Sequence, residues 1–217
     1  MYLILYKNII KKMRKFLLTL FIFCSVICFG QNIASYDTIY NMKYYAACYN
    51  ENIQTSSFVI YKLYKGGGDE SRVGLSFKPY DNRPHFEYAK TGYDRGHLLP
   101  AEDYAYDYDK LKSTFYYINC VPQTARLNRG IWKTYETKVR EISQSDSLLI
   151  ICGGCDYEEG SLIPKNCFKI VYNLKNHRCL YTLLFTNHEP YTVISENKLK
   201  KKITFKKAYQ LYKDNVK

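Results

Sequence analysis

The residues best suited to chemistry are concentrated between positions 93 and 136 of the 217-residue chain, beginning with Tyr93-Asp94-Arg95-Gly96-His97. An imidazole with an ordinary pKa of about 6.5 can take a proton from water near neutrality, and a guanidinium two positions away can grip a phosphate through a planar fork of donors. Side chains alternate along an extended strand, so Arg95 and His97 share one face, and Gly96 between them admits close approach by a substrate or a packed element. Taken alone, the same residues also describe a core histidine beside a surface ion pair. A second group follows: Asn119-Cys120-Val121-Pro122-Gln123, then Asn128-Arg129-Gly130-Ile131-Trp132, then Glu136. Asn128 falls where a helix is expected to begin, a place where asparagine ordinarily caps. Its amide oxygen can also bind a hard cation, and Mg2+ commonly takes one or two protein oxygens, several waters and a substrate phosphate. Glu136 lies about 12 Å further along an ideal helix and about 80° around it, too far for shared ligation but within reach of a cation's bound water. Its plainer role is an exposed carboxylate paired with Lys133 or Arg140.

The elements that must position these groups are legible from periodicity. Residues 57–64 are β-branched and aromatic and stop at Gly66-Gly67-Gly68, a strand followed by a turn. Residues 148–152 read as a buried central strand, and 168–172 and 179–185 flank the turn 173–177 as an antiparallel hairpin. Between them lie two helical stripes, Tyr108, Leu111 and Phe115, then Ile131, Tyr135, Val139 and Ile142. Strands, inserted helices and returning strands predict an α+β domain around an antiparallel sheet.

With 47% apolar and 24% charged residues the chain is neither disordered nor collagen-like, and it has the length of one sizeable core. Its formal charge of +12 favours an anionic partner. Lys11, Lys12, Arg14 and Lys15 precede an apolar run over 16–29 that ends at Gly30, the grammar of a secretory signal peptide over residues 1–30. The run is shorter than the roughly 20 residues of a membrane span, so a secreted or periplasmic protein, free of the membrane after cleavage, is expected. The remainder, 31–217, reads as one domain. Its positive charge lies mostly in the Lys-rich segment 196–217, where Leu199, Ile203, Phe205, Ala208, Leu211 and Tyr212 are spaced for a final amphipathic helix. Export leaves Cys48, Cys120, Cys152, Cys155, Cys167 and Cys179, which suit structural disulfides or buried thiols. Cys152-Gly-Gly-Cys155 has redox spacing, yet it closes a strand-like run instead of opening a helix.

Asp94-Arg95-Gly96-His97, Asn119 shortly before Pro122-Gln123, and Asn128, Trp132 and Glu136 together resemble the DNA/RNA non-specific endonucleases, sugar-nonspecific nucleases with a ββα-metal active site. Weaker similarity runs from the strand near Phe58 through Ile163-Pro164-Lys165 and Phe168-Lys169 to Phe185-Thr186-Asn187. The resemblance implies a central antiparallel sheet flanked by helices and a Mg2+-dependent enzyme, Mn2+ being able to substitute. It would cut DNA and RNA with little sequence preference and leave 5′-phosphates. It makes His97 the general base, Asn128 the protein ligand of the metal, and Arg95 the group that stabilises charge on the phosphate. By the same resemblance Glu136 orients a metal-bound water, Asn119 supports the geometry, and Asp94 holds the motif in place. The family's further upstream phosphate-binding cation falls on Arg72 or, second, Lys78. His85, His177 and His188 match no motif. Two other readings remain: a catalytically silent polyanion-binding module on the same fold, and a disulfide-handling protein using Cys152 and Cys155.

Overall fold

A computed structural model describes residues 37–188 and 204–216. The proposed signal segment, and Leu199 and Ile203 of the expected final helix, lie outside the described residues. Strands β1 (Asp37–Asn41), β2 (Tyr45–Asn50) and β3 (Thr55–Leu63) lead, and β6 (Leu148–Tyr157), β7 (Pro164–Asn173) and β8 (Cys179–Thr186) return. They form one sheet in the order β1-β2-β3-β6-β7-β8, antiparallel at every pairing. Between the two halves come a small antiparallel pair, β4 (Tyr93–His97) with β5 (Cys120–Thr124), and the helices. The mixed α+β expectation holds.

Alternation gives the sheet two apolar faces. Tyr61, Ile150, Val171 and Phe185 point to one side, where they pack with Leu98, Val121, Leu127 and Trp132 of the inserted segment. Ile60, Leu149, Ile151 and Ile170 point to the other, where Ala208 of the C-terminal helix (Phe205–Asn215) covers them. Trp132 is fully buried, 5.3 Å from the Phe185 ring, and anchors its helix to the sheet. Burying one such side chain stabilises by about 1.5–3 kcal/mol.

Three local expectations are corrected. The strand expected at 148–152 continues to Tyr157, straight through Gly153 and Gly154. Glycine is needed there by crowding, since an added Cβ would strike Ser57 O and the Phe168 ring at one position and Tyr157 and Pro164 at the next. Cys152 and Cys155, three apart on an extended strand, therefore point to opposite faces and cannot act as a redox pair.

Disulfides are also absent among the described residues: all six cysteines are free, five of them buried and Cys179 exposed. The registers explain this, because no cysteine faces another. Cys48 stands opposite Ile39 and Phe58, Cys120 opposite His97, Cys152 opposite Val59 and Lys169, and Cys167 opposite Gly154 and Phe185.

The helix expected to open at Asn128 opens earlier. Thr124 is its cap, Oγ1 accepting from Leu127 N at 3.4 Å. Ala125–Leu127 then runs through a wide turn, Asn128–Trp132, kinked at Gly130, into Lys133–Ile142. The first helical stripe is real but short, Tyr108–Ser113, with Asp107 as cap and Phe115 beyond its end. No helix among the described residues is long and apolar enough to cross a membrane.

Candidate active site

Strand β4, the turn after β5 and the following helix converge on one cleft of about 330 Å3, and Arg72, Arg95, His97, Asn128 and Glu136 all line it. Gly96 is buried against Gln123 of β5, where any Cβ would collide with the glutamine side chain. Close approach at that position therefore serves packing of the two strands, while Arg95 and His97 flank it on the cleft side.

His97 sits between the rings of Phe77 and Phe115, at centroid distances of 4.6 and 5.1 Å, and its Nε2 is buried with no hydrogen-bond partner. Burial, with a smaller contribution from the nearby Arg72 cation, pushes its pKa down to about 3. The imidazole is consequently neutral at physiological pH and free to accept a proton. The chain beyond it is pinned by Asn119, which is fully buried. Its Oδ1 accepts from Leu99 N at 2.9 Å, and its Nδ2 donates to Leu99 O at 2.9 Å and Thr114 O at 3.0 Å. Asn119 thus stands behind the cleft as a brace.

Arg95 is exposed, with its guanidinium carbon 5.1 Å from the Tyr88 ring centroid and 6.0 Å from that of Tyr117. It forms no ion pair among the described residues, so its donors face the cleft unspent. Arg72 reaches the same cleft from an irregular loop, whereas Lys78 turns away and lies over the Tyr116 ring at 4.9 Å. Of these two upstream cations, Arg72 lines the cleft and Lys78 does not.

Asp94 faces Asn128. Asn128 Nδ2 donates to Asp94 Oδ2 at 2.9 Å, and Arg129 donates to both carboxylate oxygens at 2.8 and 2.7 Å. The Arg129 hydrogen bonds, followed by that from Asn128, hold the Asp94 pKa below the usual carboxylate range. A carboxylate can only accept, so it fixes which way the Asn128 amide faces and leaves Oδ1 as the atom free to take a cation. Asn128 therefore does not cap its helix. Among the described residues no group of three or more His, Cys, Asp or Glu side chains is arranged to hold a metal ion. A cation satisfied by one neutral oxygen, water and substrate phosphate, such as Mg2+, fits this donor set.

Glu136 is half-buried and lines the cleft. Burial raises its pKa to about 7, opposed by Lys169 and reinforced by Asp103. The Trp132 indole N–H also favours the charged form, though it falls short of a hydrogen bond. The plainer reading, a surface pair with Lys133 or Arg140, is overturned. Arg140 instead donates to Asp103 at 3.0 Å and meets Glu102 at 3.4 Å. Asp103 is itself buried and accepts from Tyr61 OH at 3.0 Å. Lys169, also buried, places Nζ 3.1 Å from Cys152 Sγ and 4.4 Å over the Trp132 ring. Sequence reading assigned no role to Lys169, Asp103 or Arg129; only adjacency to Asn128 could have pointed to the last.

One amide joins this unit to the main sheet. Asn187 Oδ1 accepts from Thr124 N at 2.9 Å, while Nδ2 donates to Pro122 O at 2.9 Å and Pro164 O at 3.0 Å.

The sequence profile of the DNA/RNA non-specific endonucleases matches residues 27–216. The chain belongs to that family. Among curated relatives it is 28% identical to mitochondrial endonuclease G of Homo sapiens over 118 residues, covering 51% of this chain and 40% of the relative. It is 30% identical to a nuclease of Nostoc sp. over 140 residues, covering 58% and 51%. The matched part thus spans about half or less of those relatives' own lengths. A crystal structure of the EndoG/EndoGI complex superposes with a TM-score of 0.62 at 21% identity, over 75% of this chain and 77% of that one. The likeness extends to the fold: two antiparallel strands and a helix set against a large sheet, the ββα-metal nuclease arrangement.

Proposed function

We propose that this member of the endonuclease family hydrolyses phosphodiester bonds of DNA and RNA without marked sequence preference, using Mg2+ held by Asn128 and leaving 5′-phosphate and 3′-hydroxyl ends. The observation that carries the reading is the convergence of a neutral, unpartnered His97, an unpaired Arg95 and an oriented Asn128 amide in one cleft. A bound divalent cation would offset charge on the non-bridging and leaving oxygens of the phosphate. Arg95, with Arg72 in the same cleft, binds the phosphate and stabilises the charge that grows on it. His97, neutral and with no hydrogen-bond partner on Nε2, takes the proton of the attacking water. Glu136 holds water in the cleft, Asp94 keeps the Asn128 amide turned, and Asn119 fixes the backbone beyond His97. Contacts to phosphate carry no base identity, in keeping with broad specificity.

Plasmid DNA and RNA incubated with the protein in Mg2+, in chelator, and after adding metal back test this directly. Cleavage that needs the cation is expected, and binding without cleavage would replace the enzyme with a silent polyanion-binding module. His97→Ala lowers the rate by about 10²–10⁴-fold with thermal unfolding retained; near-normal turnover in that variant contradicts the assignment of the base. The same reading includes export directed by residues 1–30, tested by the N-terminal sequence of protein recovered from the culture medium.

A further inference from the structure

The wall beside His97 has a second face. Residues 77–80 and 115–117 run side by side, joined by Lys78 N to Phe115 O at 3.2 Å and Tyr117 N to Lys78 O at 3.0 Å. Extended backbone throws successive side chains to opposite sides. On one side Phe77 and Phe115 embrace the His97 ring. On the other, Lys78 lies over Tyr116, and the Tyr80 ring meets Tyr116 edge-on at 5.5 Å. Tyr80 and Tyr116 form part of a separate groove of about 380 Å3, lined also by Tyr44, Lys43 and Lys112.

Ammonium groups and aromatic rings alternate in and around that groove. Lys43 Nζ lies 4.8 Å from the Tyr44 ring centroid, and Lys110 lies 5.7 Å from Tyr44 and 4.7 Å from Tyr106. None of Lys43, Lys78, Lys110 and Lys112 is in an ion pair among the described residues. The acidic groups nearby are Asp109, which lines the groove, and Asp107, whose carboxylate caps the helix Tyr108–Ser113. Tyr80 is 42% exposed, so its ring is available for contact. Rings for bases and ammonium groups for phosphates are what a single strand needs, whereas a duplex keeps its base faces stacked inside.

We propose that this groove is a second nucleic-acid site, taking a single-stranded stretch of the polymer whose scissile phosphate lies in the cleft on the far side of the Phe77–Tyr116 wall. It rests on the nuclease reading for its link to turnover, but the binding it predicts can be measured without cleavage. The test uses the full chain carrying His97→Ala and a labelled oligothymidylate of about 20 nucleotides, longer than the site of a single binding fold. Lys43→Gln with Lys112→Gln is expected to lower the salt slope of log affinity by about 1.4, at about 0.7 per phosphate contact on a single strand. Tyr80→Ala is expected to weaken the oligothymidylate by about fivefold or more while duplex affinity stays put. On an active background, the same substitutions raise KM for long single strands and leave hydrolysis of bis(4-nitrophenyl) phosphate unchanged. Unaltered affinity and slope in both variants overturn the proposal, as do equal losses for single strand, duplex and heparin, which mark a general polyanion patch. If the parent protein cleaves no nucleic acid yet these variants lose single-strand affinity, the nuclease reading falls and the groove stands. If cleavage is intact and the variants bind like the parent, the groove alone falls.

Discussion

Asp94→Ala separates an Asn128 that is held from one that is merely nearby. Three hydrogen bonds end on the Asp94 carboxylate, two from Arg129 and one from Asn128. The Arg129 side chain is 72% exposed, so water and salt screen that pair and its loss matters little to the cleft. The bond from half-buried Asn128 to a charged acceptor is the one that counts. Such bonds contribute about 1.5–3 kcal/mol, and the open cleft argues for the lower end. About 1.4 kcal/mol is a factor of ten. If the carboxylate sets the direction of the amide oxygen, its removal weakens the apparent Mg2+ affinity by about tenfold, the lower bound for partners that orient a ligand. Saturating Mg2+ then restores most of the rate, because His97 and Arg95 are untouched. Arg129→Gln keeps the Asn128 bond and serves as the control, with a much smaller shift. The assay is the initial rate of plasmid nicking across a Mg2+ titration. A midpoint in Asp94→Ala within about twofold of the parent protein, or an equal shift in Arg129→Gln, refutes the reasoning.

Arg95→Lys keeps the charge but loses the fork, so kcat/KM for DNA falls by about tenfold or more with the unfolding temperature unchanged; full activity would show that a point charge suffices. The pH dependence of stability is set in part by two opposed groups. His97, depressed to about 3 from 6.5, contributes stability that is full above 6.5 and is lost as pH falls toward 3. Glu136, raised to about 7 from 4.5, contributes stability that is full below 4.5 and is lost as pH rises through 7. Between 4.5 and 6.5 the slopes oppose, each at most about 1.4 kcal/mol per pH unit. His97→Ala exposes the Glu136 slope alone, so its urea midpoint drops more steeply from about pH 5 to about pH 7 than the parent's; parallel curves would count against the His97 shift, and a flat curve in the variant against that of Glu136. Of the six cysteines in the described residues, Cys179 reacts promptly with a thiol reagent in the native protein, and the buried five react only on unfolding; fewer reactive thiols after denaturation without reductant would reveal disulfides.

The strands were legible because a sheet covered on both faces requires apolar, β-branched runs, and Tyr61, Ile150 and Val171 advertise them. Gly153 and Gly154 hid the rest of β6, because paired glycines read as a turn until Phe168 and Pro164 are seen pressing on them. At the site, period-2 spacing was enough to put Arg95 with His97, since both ride one strand. The true helix cap was missed because Thr124 lies inside the strand pattern, while Asn128 is a better cap by residue type and is diverted by Asp94, 34 positions away. Arg72 arrives on a loop with no period to read. The environment of Glu136 depends on Lys169 and Asp103, which come from β7 and from a turn before the first helix, so it exists only after folding.

The Asn187 amide has a chemical consequence for the protein in storage. It donates to two proline carbonyls and accepts from Thr124, so one side chain ties β5 and the start of the helix that leads to Glu136 to β7. Hydrolysis of that amide would put a carboxylate against Pro122 O and Pro164 O, replacing two donated bonds with repulsion between acceptors. An ageing sample would then lose its hold on the cleft through a gain of one mass unit, with every residue that lines the cleft still intact.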